Sequence, residues 1–141
     1  MKFINNYKLF NNLLKILPKT DIRRMKLLER FDKKKGLFEV DPYNKKKYTS
    51  YTLNKNVIGM CMREKNVNKN IHDMEILKFV FLHEVAHICT ESLDHTEDFW
   101  ENFKWLLGIV YKEKLMIPID FNLKPVSYCG MLIDNNPFYN F

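Results

Sequence analysis

The chain has 141 residues and a net charge of +6, and 46% of its residues are hydrophobic and 28% charged, as expected for one globular domain. It contains no run of about 18 apolar residues, which excludes a membrane-spanning helix, and its N-terminus lacks the apolar region of a secretory signal. The three cysteines are widely spaced and have no CxxC pattern, which excludes a four-cysteine structural metal site and favours a reducing compartment, either cytoplasmic or nuclear.

Two helices are predicted near the N-terminus. Residues 5–17 carry apolar side chains at roughly helical spacing, and Pro18 ends that segment. Asp21 is a suitable N-cap for a second helix over residues 22–31. The residues expected to face inward from this second helix are Ile22, Met25, Leu28 and Phe31.

A small antiparallel sheet is predicted next. Residues 37–40 form a short predicted strand, which Asp41-Pro42 breaks. Residues 48–53 and 57–62 are β-prone, and the Asn54-Lys55-Asn56 segment between them predicts a hairpin.

Two further helices are predicted in the second half of the chain. Asp73 is a plausible N-cap for a helix that reaches about residue 91, and another helix follows His95. After Pro118 and Pro125 the tail is expected to be irregular. The predicted core-facing residues are Ile76, Phe79, Val80, His83, Ala86 and His87 in the first helix and Phe99, Phe103, Leu106, Leu107 and Val110 in the second.

The third predicted helix contains an HExxH motif, His83-Glu84-Val85-Ala86-His87. Residues four apart lie on one face of a helix, so both imidazoles can reach one metal ion. Glu84 projects from nearly the same side and can contact a water molecule bound to that metal. The alternative is a helix with two buried structural histidines, but it leaves Glu84 as a costly carboxylate near an apolar core. The motif therefore predicts a metal site.

His95 is the predicted third ligand, separated from His87 by seven residues. Catalytic zinc sites use three protein ligands and leave a fourth position for water, which zinc activates at neutral pH. Glu84 is then the expected base, which takes a proton from the water and passes it to the leaving amine. Glu91 competes with His95 for the third position. Asp94 and Glu97 are also close in sequence, whereas His72 is expected to be a surface residue.

The residues around this motif resemble the WLM and SprT-like group of minimal zinc metallopeptidases. The similarity covers roughly residues 48–115 and depends on two segments, Phe81-Leu82-His83-Glu84-Val85-Ala86-His87 and His95-Thr96-Glu97-Asp98-Phe99-Trp100. The β-prone segment that ends in Met60-Cys61-Met62-Arg63 resembles the strand beside the active-site helix of these enzymes. The tail Pro125-Val126-Ser127-Tyr128-Cys129-Gly130 is similar to short WLM-like proteins of large DNA viruses.

The resemblance implies a small α+β zincin-like fold, a Zn²⁺ ion and peptide-bond cleavage. Because relatives act on proteins crosslinked to DNA or on ubiquitin-like conjugates, it also implies a protein or peptide substrate. It adds the expectation of a viral protein that acts in a host cell. One departure concerns spacing: the WLM pattern usually places five residues between the second and third histidines, and this chain has seven, none of them glycine.

Other residues have two interpretations each. Tyr128 is a candidate for stabilising an oxyanion, as a zinc peptidase requires, and a packed tail tyrosine is the alternative. Cys89 is expected to be a small core residue and Cys129 an inert thiol, and an inhibitory or redox thiol is the alternative for Cys129. Trp100 is expected to pack behind the metal-binding helix and to hold His95 in place.

The sequence thus predicts one zincin-like metallopeptidase domain over residues 1–141, with an active-site helix packed on a short antiparallel sheet. One alternative is a non-catalytic zinc protein, whose fourth metal position is closed by a residue such as Glu91 or Cys129. Another is a basic module that binds nucleic acid. The basic clusters are a candidate DNA-binding surface or simply a solvated lysine-rich face, and they comprise Arg23-Arg24, Lys33-Lys34-Lys35 and Lys45-Lys46-Lys47.

Overall fold

The computed structural model describes residues 3–31, 36–40, 50–62 and 73–140, and it shows a small α+β domain. The helices are α1 (Ile4–Ile16), α2 (Ile22–Arg30), α3 (Met74–Ile88), α4 (Glu97–Lys112) and a short α5 (Pro137–Asn140). The strands are β1 (Leu37–Glu39), β2 (Ser50–Leu53), β3 (Val57–Met60), β4 (Val126–Tyr128) and β5 (Met131–Ile133). The two lysine clusters, the predicted break at residues 41–42 and His72 lie outside the described residues.

Helix α3 is the centre of the domain and contacts α1, α2, α4, β2 and β3. Asp73 caps its N-terminus, as predicted, by accepting a hydrogen bond from the backbone N–H of Glu75 at 2.9 Å. Apolar residues cover most of its circumference, which is the pattern of a helix buried on several sides. The helix ends at Ile88, slightly before the predicted end near residue 91.

Helix α2 has a different orientation from the predicted one. Ile22 and Met25 are 61% and 45% exposed, and Leu28 is also exposed, whereas Leu27 and Phe31 are buried. The predicted inward face is therefore wrong except at Phe31. Two arginines explain the rotation of the helix, because they donate hydrogen bonds to backbone carbonyls of neighbouring helices. These bonds run from Arg24 to the carbonyl of Leu14 (2.8 Å) and from Arg30 to that of Ile88 (2.9 Å).

The sheet is mixed, not antiparallel throughout. Strands β2 and β3 form the predicted antiparallel hairpin, but β1 pairs with the other edge of β3 in parallel. Sequence patterns indicate local hairpins, while the β1–β3 pairing joins segments that are distant in the chain. Gly59 of β3 permits close packing, since a Cβ atom there would lie 2.7 Å from the ring of Phe38 and 3.1 Å from that of Tyr51.

The tail is more regular than predicted. Strands β4 and β5 form an antiparallel hairpin, and its two turn residues, Cys129 and Gly130, have φ values of 48° and 83°. Positive φ at both central residues is typical of the tight turns that suit the twist of a hairpin. The expectation of an irregular tail is therefore wrong for this segment.

A disulfide joins Cys61, which follows β3, to Cys129 in the β4–β5 turn. The prediction of an inert Cys129 thiol is therefore wrong, and cysteine usage no longer favours a reducing compartment. The free cysteine of the described residues is Cys89, which is buried as expected. None of the helices in the described part of the chain is long and apolar enough to cross a bilayer.

Removing the disulfide should destabilise the domain. The bond links residues 68 positions apart, so its loss releases a long loop in the unfolded chain and should lower the free energy of unfolding by roughly 2–4 kcal/mol. Urea denaturation with and without a thiol reductant measures this change. The Cys61→Ser/Cys129→Ser double variant is the control, because its stability should not respond to the reductant. Equal stability of the reduced and oxidised wild type would contradict the prediction.

Candidate metal centre

Three histidines lie together at the C-terminal end of α3. His83 and His87 occupy successive turns of the helix, with ring centroids 5.2 Å apart, and His95 precedes α4. Each ring offers one nitrogen to a group whose atoms all lie within 4.8 Å of one another. The predicted gathering of His83, His87 and His95 is therefore confirmed, and these residues can bind a metal ion.

The spacing and chemistry of these nitrogens suit a metal. The Nε2 atoms of His87 and His95 are 3.1 Å apart, while a tetrahedral zinc site with Zn–N distances of about 2.0–2.1 Å separates its ligand nitrogens by about 3.3 Å. Burial lowers the pKa of His87 to about 4 and also lowers the pKa of His95. Both rings are therefore neutral near pH 7, which is the form that binds metals.

Aromatic side chains of α4 fix the orientation of the imidazoles. Phe99 stacks on His87, with centroids 4.2 Å apart and an interplanar angle of 30°. The rings of Trp100 and His95 lie next to each other, as predicted, with centroids 5.6 Å apart. The ring of Phe103 meets that of His83 edge-on, with centroids 5.4 Å apart. Because Phe99 and Phe103 are buried, this aromatic wall joins the site to the core.

Glu84 is a buried carboxylate, only 3% exposed, beside the histidines. Its Oε2 accepts a hydrogen bond from Nδ1 of His83 at 2.7 Å, and its Oε1 accepts one from the hydroxyl of Thr52 at 2.9 Å. Burial alone raises the pKa of Glu84, but the bond from His83, the nearby imidazoles and the bond from Thr52 outweigh burial and lower that pKa. Glu84 is therefore ionised at neutral pH. The bond also leaves Nε2 of His83 for a metal, as is common for ligand histidines.

The competing ligands lie elsewhere or are otherwise bonded. Glu91 is exposed and forms ion pairs with Lys26 (2.5 Å) and Arg30 (3.1 Å). Cys129 is in the disulfide. Within the described residues, the cluster of close ligand atoms includes neither Asp94 nor Glu97.

Tyr128 is buried, and its hydroxyl is part of a hydrogen-bond network. The hydroxyl donates to the carbonyl of Cys61 at 2.6 Å and lies 2.5 Å from the hydroxyl of Ser50. Burial raises the pKa of Tyr128, so the phenol keeps its proton. Since that single proton is donated to Cys61, the geometry favours a packed tyrosine. The oxyanion role stays a prediction.

Two cavities meet at the metal cluster, and His83, Glu84 and His95 line both of them. The larger cavity has a volume of about 630 Å³ and extends along β2 and the following turn, where Lys55 contributes to its wall. The smaller cavity has a volume of about 310 Å³. Its largely apolar wall is formed by Val80, Tyr128, Met131, Leu132 and Ile133.

The chain is similar to uncharacterised proteins of three viruses. It is 37% identical over 105 residues to one from Acanthamoeba polyphaga mimivirus, a match that covers 74% of this chain and 52% of that protein. Proteins of Invertebrate iridescent virus 6 and Invertebrate iridescent virus 3 are 42% and 44% identical over 59 and 50 residues. The chain thus spans about half the length of the mimivirus relative, and the other two matches cover 33% and 31% of those proteins. No family model and no solved structure matches the chain.

Replacing His95 should weaken metal binding. Because His95→Ala removes one of three ligands, zinc affinity should fall by more than the roughly 10–100-fold that follows loss of an outer-shell contact. Competition with a chromogenic chelator measures the affinity, and elemental analysis measures the zinc bound per chain. Glu91→Ala is the matched control, since that carboxylate lies outside the cluster and its loss should leave the affinity unchanged. A wild-type protein that binds no zinc would contradict the assignment of the site.

Proposed function

We propose that this protein is a zinc-dependent endopeptidase. The observation that carries the proposal is the placement of an ionised Glu84 beside the nitrogens of His83, His87 and His95 where two cavities meet. Three histidine ligands with a carboxylate outside the ligand set are the composition of a catalytic zinc site, which leaves one position to water. The motif and its position on α3 also support membership in the WLM and SprT-like group.

In the proposed hydrolysis, zinc, Glu84 and Thr52 have different roles. Zinc, when bound, supplies a Lewis acid that makes water nucleophilic at neutral pH and polarises the scissile carbonyl. Glu84 accepts the proton of the attacking water and then protonates the departing amine. Thr52 donates to Oε1 of Glu84 and His83 to Oε2, so both oxygens of this carboxylate are held in place beside the histidines.

The shape of the larger cavity supports an extended peptide as substrate. Among the strands that the structure describes, β2 is at the edge of its sheet, and its residues line this cavity. An extended chain can add to such an edge through main-chain hydrogen bonds. The smaller apolar cavity then suits one apolar side chain next to the cleaved bond.

DNA-associated or DNA-crosslinked proteins are the proposed class of substrate, and the support is the net charge of +6 together with the family resemblance. The Arg23-Arg24 pair contributes little to this argument. Arg23 bonds Asp21 and lies over the Trp105 ring at 3.4 Å, and Arg24 bonds the carbonyl of Leu14. The lysine clusters, which lie outside the described residues, are the proposed DNA-binding surface.

The contacts of the candidate fourth ligands weigh against a purely structural zinc site. Such a site needs a fourth protein ligand, and both residues considered for that position, Glu91 and Cys129, have other partners. A catalytically inactive zinc protein or a nucleic-acid-binding module remains the alternative that the following experiment addresses.

Glu84→Gln should retain zinc but lose cleavage. The amide keeps the shape of the side chain and cannot accept the proton, so hydrolysis should slow by about 10²–10⁴-fold. Zinc-loaded proteins are incubated with a peptide library, an unfolded protein and a DNA–protein crosslink, each with and without single-stranded DNA. Glu29→Gln, on the exposed face of α2, is the matched control and should cleave as wild type does. A zinc-loaded wild type that cleaves none of these substrates, or a fully active Glu84→Gln, would overturn the proposal.

Thr52→Val should lower kcat without releasing zinc. Valine keeps the branched shape but removes the hydrogen bond to the Glu84 carboxylate. A hydrogen bond to a charged group contributes about 1.5–3 kcal/mol, so kcat should fall about 10–100-fold. Steady-state kinetics measure the change, and Thr52→Ser, which retains a hydroxyl, should recover most of the rate. An unchanged kcat in Thr52→Val would show that the bond does not support catalysis.

A further inference from the structure

Lys55 occupies an unusual backbone position in the β2–β3 turn. Asn54 and Lys55 have φ values of 51° and 55°, in the left-handed region. Asparagine tolerates this region and glycine adopts it freely, whereas lysine rarely does. The contacts of this long cationic side chain are therefore of interest.

The amine of Lys55 bridges two parts of the metal site. Its Nζ donates hydrogen bonds to the carbonyl of His87 at 2.5 Å and to the carbonyl of Ser92 at 2.9 Å. The first carbonyl belongs to a ligand residue near the end of α3, where a cation also interacts favourably with the helix dipole. The second belongs to the segment that leads to His95. Burial lowers the pKa of Lys55, in agreement with an amine drawn out of bulk water.

Ser92 is also held from its other side. Its hydroxyl lies 2.5 Å from that of Thr96 and donates to the carboxylate of Asp98 at 2.9 Å. His95 thus lies between two anchored residues: Ser92, bonded to Lys55, and Thr96, bonded to Ser92. These contacts fix both ends of the short stretch that carries the third ligand.

We propose that Lys55 is a positioning residue for the metal centre, which clamps the His87–Ser92 segment so that the imidazole of His95 returns to those of His83 and His87. This inference rests on the metal site of the proposed function. It accounts for a third ligand that is separated from the second by seven residues, none of them glycine. A longer connection loses more conformational entropy when the metal binds. A clamp that orders the connection beforehand removes much of that cost from metal binding.

Arg30 provides a matched comparison. It also donates a hydrogen bond to a carbonyl at the end of α3, that of Ile88 at 2.9 Å, but its other partner is Glu91. If a cation at the end of α3 were sufficient, removing the side chain of Lys55 or of Arg30 would lower metal affinity equally. The clamp instead requires that removing Lys55 lower metal affinity more than removing Arg30 does.

The test measures metal affinity and metal geometry, not activity. Zinc affinity is determined by chelator competition, and cobalt, whose visible spectrum reports tetrahedral coordination, is titrated into the same proteins. Lys55→Met should lower zinc affinity about 10–100-fold, as for other outer-shell contacts, and should weaken the tetrahedral cobalt spectrum. Lys55→Arg should recover much of the affinity. Arg30→Met should bind both metals as wild type does.

The outcomes separate the clamp from the metal site itself. Two results with a metal-binding wild type would overturn the clamp but not the metal site. In the first, Lys55→Met binds metal as tightly as wild type does. In the second, Arg30→Met loses as much affinity as Lys55→Met. A wild type that binds neither metal refutes both. If Lys55→Met does not fold, as judged by circular dichroism, Lys55→Gly decides the matter, because glycine adopts the positive φ of this position freely and carries no amine. An unchanged affinity in Lys55→Gly then overturns the clamp, and a several-fold loss supports it.

Discussion

The site depends on keeping one carboxylate ionised where almost no water reaches it. Glu84 lies on the most buried helix of the domain, and an unpaired charge there would be strongly destabilising. Two hydrogen bonds offset this cost, one from the neighbouring His83 and one from Thr52 across the β2 edge of the sheet. The sheet and the helix are therefore joined by the same contact that sets the charge of the catalytic candidate.

Local sequence signals predicted much of the fold. The N-caps Asp21 and Asp73, the β2–β3 hairpin and the apolar spacing of α4 were all correctly identified, because each depends on residues a few positions apart. The errors concern long-range packing. The rotation of α2 depends on arginine bonds to distant carbonyls, and the parallel β1 strand and the disulfide join segments with no shared pattern. The Cys129-Gly130 turn did contain a usable signal, a glycine between two short β-prone runs.

For the metal cluster, too, local sequence signals were sufficient and long-range contacts were missed. The helical spacing of His83 and His87 and the nearby His95 were enough to predict which imidazoles meet. Thr52 and Lys55 were missed as site residues, since each reaches its partner from about 32 positions away in the chain. Alternating residues of a strand beside the motif helix are the only signal that could have indicated Thr52, whereas the bridging role of Lys55 follows only from the coordinates.

The β4–β5 hairpin lies far along the chain from the motif helix α3, yet it supplies most of the apolar wall of the smaller cavity. The histidine cluster and this apolar wall thus come from separate stretches of the polypeptide, which the Cys61–Cys129 bond links. If the proposed peptidase activity holds, such an arrangement lets substitutions in the tail change which bond is attacked while the histidine helix stays constant.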